Sequence, residues 1–266
     1  MKKQPVTGVL ITVFFLIVFA NCKQELKDEN MPVTTTSEVA MELYEKAIDA
    51  TEQVELDKAN KLFKKAIEED PEFFMAYYQL AIFRLYFEDN EGFKKYAEKA
   101  VSIEAGLSEG EDLLKEMLNK FLENQNADVT AIGKQLVELY PNDIATYNCL
   151  SLCQFLIKDY DGAVQTISSA IERSDNPAPL YNSLGYTYMA LKKYDEASDA
   201  LNKYLELEPN QPNPYDSKGD YYMNVRSYGE AYESFMKAYE IDTSWTGSYD
   251  KAMKARALFD SLQVGK

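Results

Sequence analysis

Hydrophobic positions follow three patterns along the chain. An apolar run from Val6 to Ala20 stands behind Lys2 and Lys3. Residues 23–35 then mix Lys, Gln, Glu, Asp, Asn, Pro and Thr without a helical period, as in a segment that has little apolar surface to bury. From residue 36 to 262, aromatic and small residues recur every 34 positions: Tyr147, Tyr181 and Tyr215; Tyr160, Tyr194 and Tyr228; Ala163, Ala197 and Ala231. Self-similarity at such a period is the mark of an array of short structural units. The body is therefore predicted to be all-α, each unit a pair of helices, with no strands.

Proline supports the same division, because it breaks helix interiors and is tolerated between helices and in their first turns. Pro71, Pro141, Pro177, Pro179, Pro209, Pro212 and Pro214 all fall at the joints of the frame. Thr35 and Glu38 have the spacing of a capping box that would open the first helix. Small residues at Ala47, Ala81, Ser151, Gly185 and Gly219 would let the two helices of a unit approach closely.

The run Tyr181, Leu184, Gly185 and Tyr188, followed by Ala197, Leu201, Tyr204 and Pro209, closely resembles the tetratricopeptide repeat (TPR) pattern. Tyr215, Gly219, Tyr222, Ala231, Phe235 and Ala238 repeat it, with Lys218 in place of the usual Leu. In this frame the repeats are 40–73, 74–107, 110–143 after two extra residues, 144–177, 178–211 and 212–245. Residues 246–262 supply a single capping helix. The resemblance implies an α-solenoid of about six helix-turn-helix repeats plus that helix, a superhelical domain over 36–262. The 110–143 unit departs most, with Met117 where a small residue is expected and Gly133 where a large one is. Either the exchange preserves volume across one interface or this unit is a loosely packed hinge.

The first 22 residues read as an address. The charged-then-apolar start has the form of a secretory signal, 1–21, too short to span a bilayer comfortably. Phe19, Ala20, Asn21 and Cys22 resemble the lipobox of bacterial lipoproteins, which implies cleavage before Cys22 and its lipid modification; Asn21 stands where that family usually has Gly, Ala or Ser. An uncleaved membrane anchor with an incidental cysteine is the other reading. Residues 22–35 would then be a lipid-anchored flexible linker in which nothing packs. Lys27-Asp28-Glu29 resembles a short surface-export signal of Bacteroidetes lipoproteins.

Composition narrows the chemistry. The 28 basic residues against 44 acidic ones give a formal charge of −16, which disfavours nucleic acid as a partner. With no histidine, the commonest general base and metal ligand is missing. Cys149 and Cys153, four apart on one helix, are expected as free buried thiols, too few to complete a zinc site. No catalytic residue, cofactor or metal is expected.

TPR arrays generally bind proteins in a concave groove lined by the first helix of each repeat. The fifth position of the repeats gives Tyr44, Tyr78, Leu114, Asn148, Asn182 and Asp216, and the ninth gives Ile48, Ile82, Leu118, Leu152, Tyr186 and Asp220. Tyr44, Tyr78, Ile82, Leu118, Asn148, Leu152, Asn182 and Tyr186 are the candidate partner contacts, apolar toward the N-terminus and polar toward the C-terminus. Each could instead pack against the adjacent repeat. Neither row holds Lys or Arg, which disfavours the carboxylate clamp by which chaperone-binding TPRs hold a chain terminus. The expected role is an outer-membrane lipoprotein scaffold that binds a segment of an envelope protein. The alternative is a glycan- or nutrient-binding surface lipoprotein, since 20 Tyr and 13 Phe could supply stacking faces. An enzyme is a distant third.

Overall fold

The computed structural model describes residues 30–104 and 106–264. The expected signal segment 1–21, the lipid-bearing Cys22 and the Lys27-Asp28-Glu29 triplet lie outside the described residues. The described chain is thirteen α-helices without a strand. They pair as α1 (Glu38–Glu52) with α2 (Leu56–Glu69), α3 (Phe74–Tyr86) with α4 (Asn90–Val101) and α5 (Glu109–Glu123) with α6 (Thr130–Leu139). The array continues as α7 (Ile144–Leu156) with α8 (Tyr160–Ile171), α9 (Ala178–Ala190) with α10 (Tyr194–Leu207) and α11 (Pro212–Asn224) with α12 (Tyr228–Ile241). The last helix is α13 (Thr246–Val264), packed on α12. The fold is thus an α-solenoid of six helix pairs and a capping helix.

One turn recurs in five of the six pairs. Val54, Glu88, Lys158, Lys192 and Arg226 follow the first helix with φ between 57° and 63°, in the left-handed region. The amide of the next residue then reaches back to the helix: Glu55 N donates to the Ala50 carbonyl and Asp159 N to Gln154. This is the Schellman arrangement, and it satisfies the carbonyls that the end of a helix leaves unpaired. The same next residue caps the second helix. Asp89 and Asp159 do so with their carboxylates, which accept from Gly92 N and Gly162 N.

Within a pair, the small residue of the first helix meets the large one of the second. A Cβ on Gly185 would lie 2.6 Å from Leu201 Cδ2, and one on Gly219 would collide with the Phe235 ring. The period of 34 thus records one contact made again in each pair.

The third pair breaks the pattern. Residues 124–129 replace the tight turn, and α6 has only ten residues. Met117 is buried, with its sulfur against Cys149 and Cys153 of α7, while Gly133 leaves room for Leu150, whose Cα would be 3.0 Å from an added Cβ. The large and the small residue are both accommodated, through α7 as common partner. The pair is closely fitted and not a loose hinge.

The expected unpacked linker needs correction from residue 30 onward. Residues 30–36 form a strap across three repeats. Met31 is buried against Gly110, and its amide donates to Asp143 Oδ2 at 2.9 Å. The Thr34 amide and hydroxyl both donate to Glu111, at 2.9 and 2.7 Å, and Ser108 Oγ donates to the Pro32 carbonyl. Thr35 Oγ1 donates to Asp70 Oδ2 at 2.5 Å, joined by Thr36 N at 3.2 Å. Residues of polar composition pack here because backbone amides and hydroxyls find buried carboxylates, a pairing that hydrophobic period does not encode. The expected Thr35 capping box is displaced for the same reason: Ser37 caps α1 by accepting from Ala40 N. A true capping box joins Ser108 and Glu111 at the start of α5.

Candidate binding groove

The first helices of every pair but the third line a surface with three adjoining cavities. The first, about 710 Å3, lies between α1, α3, α7 and the α8–α9 joint, with Ile48, Tyr78, Ile82, Asn148, Cys149, Leu152 and Leu180 in its walls. It meets a second of about 290 Å3 at Asn148, Leu152 and Pro179, where Phe155, Tyr186 and Tyr86 also contribute. Tyr86, Asn182 and Tyr186 pass from there into a third of about 800 Å3, which reaches Phe87, Asp216, Asp220, Trp245 and Lys251. The α1–α2 turn, Val54–Lys58, lines this third cavity together with the α12–α13 joint, so the two ends of the array face one another across it.

Six of the eight candidate contacts border this groove: Tyr78, Ile82, Asn148, Leu152, Asn182 and Tyr186. Two do not. Tyr44 is buried between Phe63 and Phe73, with ring centroids at 5.7 and 5.2 Å, and its hydroxyl accepts from Gln79. Leu118 is fully buried in the core, because α5 packs on α3 as well as on its own neighbours and turns that face inward. Tyr78 is itself only 6% exposed, stacked on Phe74, with its hydroxyl 3.7 Å from Cys149 Sγ. It presents an edge to the groove and is mainly core.

The polar half is fastened by a network that the two rows alone did not reveal. Lys251 of α13 donates to Asp216 Oδ2 at 2.7 Å and Asp220 Oδ2 at 3.0 Å; Ser248 Oγ donates to Asp216 Oδ1, and Tyr186 OH to Asp220. Burial raises the Asp220 carboxyl above its usual range despite the ammonium beside it, and burial with the Asp220 charge raises the Tyr186 phenol. Burial acts to lower Lys251, but the two carboxylates outweigh it and hold the ammonium above its ordinary value. The sequence signal was available in the next frame: Lys251 follows Asp216 and Asp220 by 35 and 31 residues, about one repeat.

Charge in the groove is unbalanced. Eight carboxylates line the three cavities against three cations, so the lining is net acidic. Each cation already has a partner: Lys58 pairs with Glu55, Lys251 with its two aspartates, and Arg173 lies over the Tyr147 ring. Glu52, at the edge of the first cavity, is raised by burial and by the nearby Asp49 carboxylate. Asn182 Oδ1, between the second and third cavities, is buried without a hydrogen-bond partner. Cys149 and Cys153 are free thiols, and among the described residues no three His, Cys, Asp or Glu side chains are grouped to hold a metal.

Residues 178–211 and 213–244, the fifth and sixth pairs, each match the tetratricopeptide repeat family. The chain carries TPR repeats. Many solved structures share the architecture. One is a thermophilic TPR protein of Thermus thermophilus, 19% identical, with a TM-score of 0.52 over 82% of this chain and 99% of that one. Another is the APC/C hetero-tetramer Cut9–Hcn1, 22% identical, with a TM-score of 0.46 over 81% of this chain and 42% of that one. At 19% identity the likeness to the Thermus protein concerns the fold alone. No curated protein matches the chain. The TPR repeats suggest a protein-interaction scaffold.

Proposed function

We propose that the protein is a lipid-anchored adaptor of a bacterial cell envelope, attached to the outer membrane through Cys22, whose groove holds an extended basic segment of an envelope protein. The groove carries this reading: it is continuous, apolar along Ile82, Leu152 and Leu180, and lined by eight carboxylates against three cations, so that it stays net acidic after Lys58 and Lys251 are paired within it. Such a surface favours a segment with Lys or Arg set between apolar anchors. The spare oxygen of Asn182 suits a backbone amide of that segment. The anchor reading rests on Lys2, Lys3, the apolar run and Cys22. Asn30 lies at the edge of the first cavity, and the chain from Cys22 to Asn30 can extend at most about 28 Å. A lipid on Cys22 would therefore keep the groove close to the membrane surface. No helix among the described residues is long and apolar enough to cross it.

The test is capture from gently cross-linked envelopes of the host, followed by binding of peptides that tile each recovered protein. The variant Asn148→Lys with Tyr86→Ser changes two exposed groove residues and leaves the core alone. Expected is a segment rich in Lys or Arg that binds the native protein and loses at least about tenfold in affinity to the variant, with helicity unchanged. Equal binding by both proteins would overturn the groove reading. Unchanged fractionation of a Cys22→Ser variant with the membrane would overturn the anchor. One observation favours the glycan alternative: Tyr86 and Phe87 are 62% and 52% exposed at the groove, with no core role. Quenching of their environment by an oligosaccharide, lost in Tyr86→Ser, would select that reading instead.

A further inference from the structure

In five repeats a small residue occupies the position that faces the second helix; in the third it is Met117. Its sulfur meets two others. Cys149 Sγ and Cys153 Sγ, one turn apart on α7, each lie 3.8 Å from Met117 Sδ. We propose that Met117, Cys149 and Cys153 form a binding site for one Cu(I) ion.

Three sulfurs converge here. An ion set between the thioether and either thiol, 3.8 Å apart, lies within the ~2.3 Å of a metal–thiolate bond from both. Two thiolates and a thioether are soft ligands, the set that selects Cu(I) among biological metals. Zinc would require a fourth ligand, and the polar group in contact with Cys149 Sγ is the neutral Tyr78 hydroxyl, at 3.7 Å. That hydroxyl is placed to donate to the Cys149 thiolate once the metal is bound, an outer contact of the kind that tunes metal sites. Met117 and Cys153 are buried on helices, so the donors are held in place before the ion arrives. Cys149 is half-buried and lines the first cavity, which gives the ion a path from the groove.

Binding replaces protons and transfers no electrons. The two S–H protons leave to solvent, two Cu–thiolate bonds and one Cu–thioether bond form, and the centre changes from neutral to a net charge of −1. Copper keeps its +1 state throughout.

The test uses the full chain carrying Cys22→Ser, reduced and free of oxygen, so that the helical pair supplies the only thiols. Cu(I) is delivered from a chromogenic Cu(I) chelator. Expected are transfer of one equivalent, release of two protons, and X-ray absorption showing three sulfur neighbours. Met117→Leu conserves side-chain volume, so the fold is retained. It should lower affinity at least about tenfold and leave two sulfur neighbours. Cys149→Ser with Cys153→Ser should abolish uptake. Failure of the protein to take copper from the chelator, equal uptake by the double serine variant, or an unchanged affinity and sulfur count in Met117→Leu would each overturn the site.

Discussion

Gly219 and Gly185 occupy equivalent positions and should respond differently to the same substitution. Both partners are buried, but an added methyl meets the wide, flat ring of Phe235 at Gly219 and the smaller branch of Leu201, Cδ2 and Cγ, at Gly185. Alanine is the better helix former by about 1 kcal/mol, and overpacking a filled core costs about 1–3 kcal/mol. Gly219→Ala is expected to destabilise the protein by about 1 kcal/mol, with a smaller effect at Gly185, as measured by thermal unfolding. Adding Phe235→Leu to Gly219→Ala should recover part of the loss. Asp70 gives a pH-dependent counterpart. Burial acts to raise its carboxyl, but hydrogen bonds from Thr35, Glu72 and Thr36 outweigh that and hold it below its ordinary value. A lowered carboxyl stabilises the fold above the unfolded value, about 3.9, and this contribution is lost as pH falls through the lower folded value. Protection of the Thr36 amide against exchange should therefore fall below about pH 4. In Asp70→Asn the Thr36 amide should be less protected at neutral pH and show little further acid dependence.

The recurring turn sets what each helix pair tolerates. Its left-handed residue is never glycine, and in the first pair it is Val54, β-branched at φ 59°. A left-handed backbone costs an L-residue about 1–2 kcal/mol, against about 0.5–1 kcal/mol for the extra freedom that glycine loses on folding. Val54→Gly is expected to stabilise the protein by about 0.5–1 kcal/mol, read as a raised denaturant midpoint at constant slope. These turns mark where legibility in the sequence ended. The aromatic, small and proline positions placed every helix pair and the two-residue insertion before α5, because those residues answer to packing and backbone sterics that repeat. The strap did not show, because Met31, Thr34 and Thr35 are anchored by Asp143, Glu111 and Asp70, single polar contacts between distant positions with no period to betray them. The groove was legible where the frame is regular. It failed at Leu118, where the irregular third pair turns inward, and at Tyr44, which fills a gap among the aromatics of the first two pairs.

Across the whole molecule the apolar core is divided. One cluster joins the first three pairs and reaches Cys153, a second spans the fourth and fifth, and a small third holds Ala231, Phe235, Ala252 and Ala255 between the last pair and the capping helix. Stability in such an array is a sum over neighbouring units, so the end with the smallest cluster should open first. Trp245, the only tryptophan, stands at the α12–α13 joint and reports on that end. Its fluorescence is expected to change at a lower urea concentration than far-UV circular dichroism; coincident midpoints would mean that the array unfolds as one unit.

The strap also fixes how this molecule bears load. Tension applied from the N-terminal side would reach the Met31–Asp143 bond first, then the Thr34–Glu111 pair, then Thr35 on Asp70, and only afterwards α1. The attachments would give way one at a time, each releasing a short length of chain while the helices behind it stay folded. The strap would serve as a mechanical fuse, spending its successive hydrogen bonds before the groove is deformed.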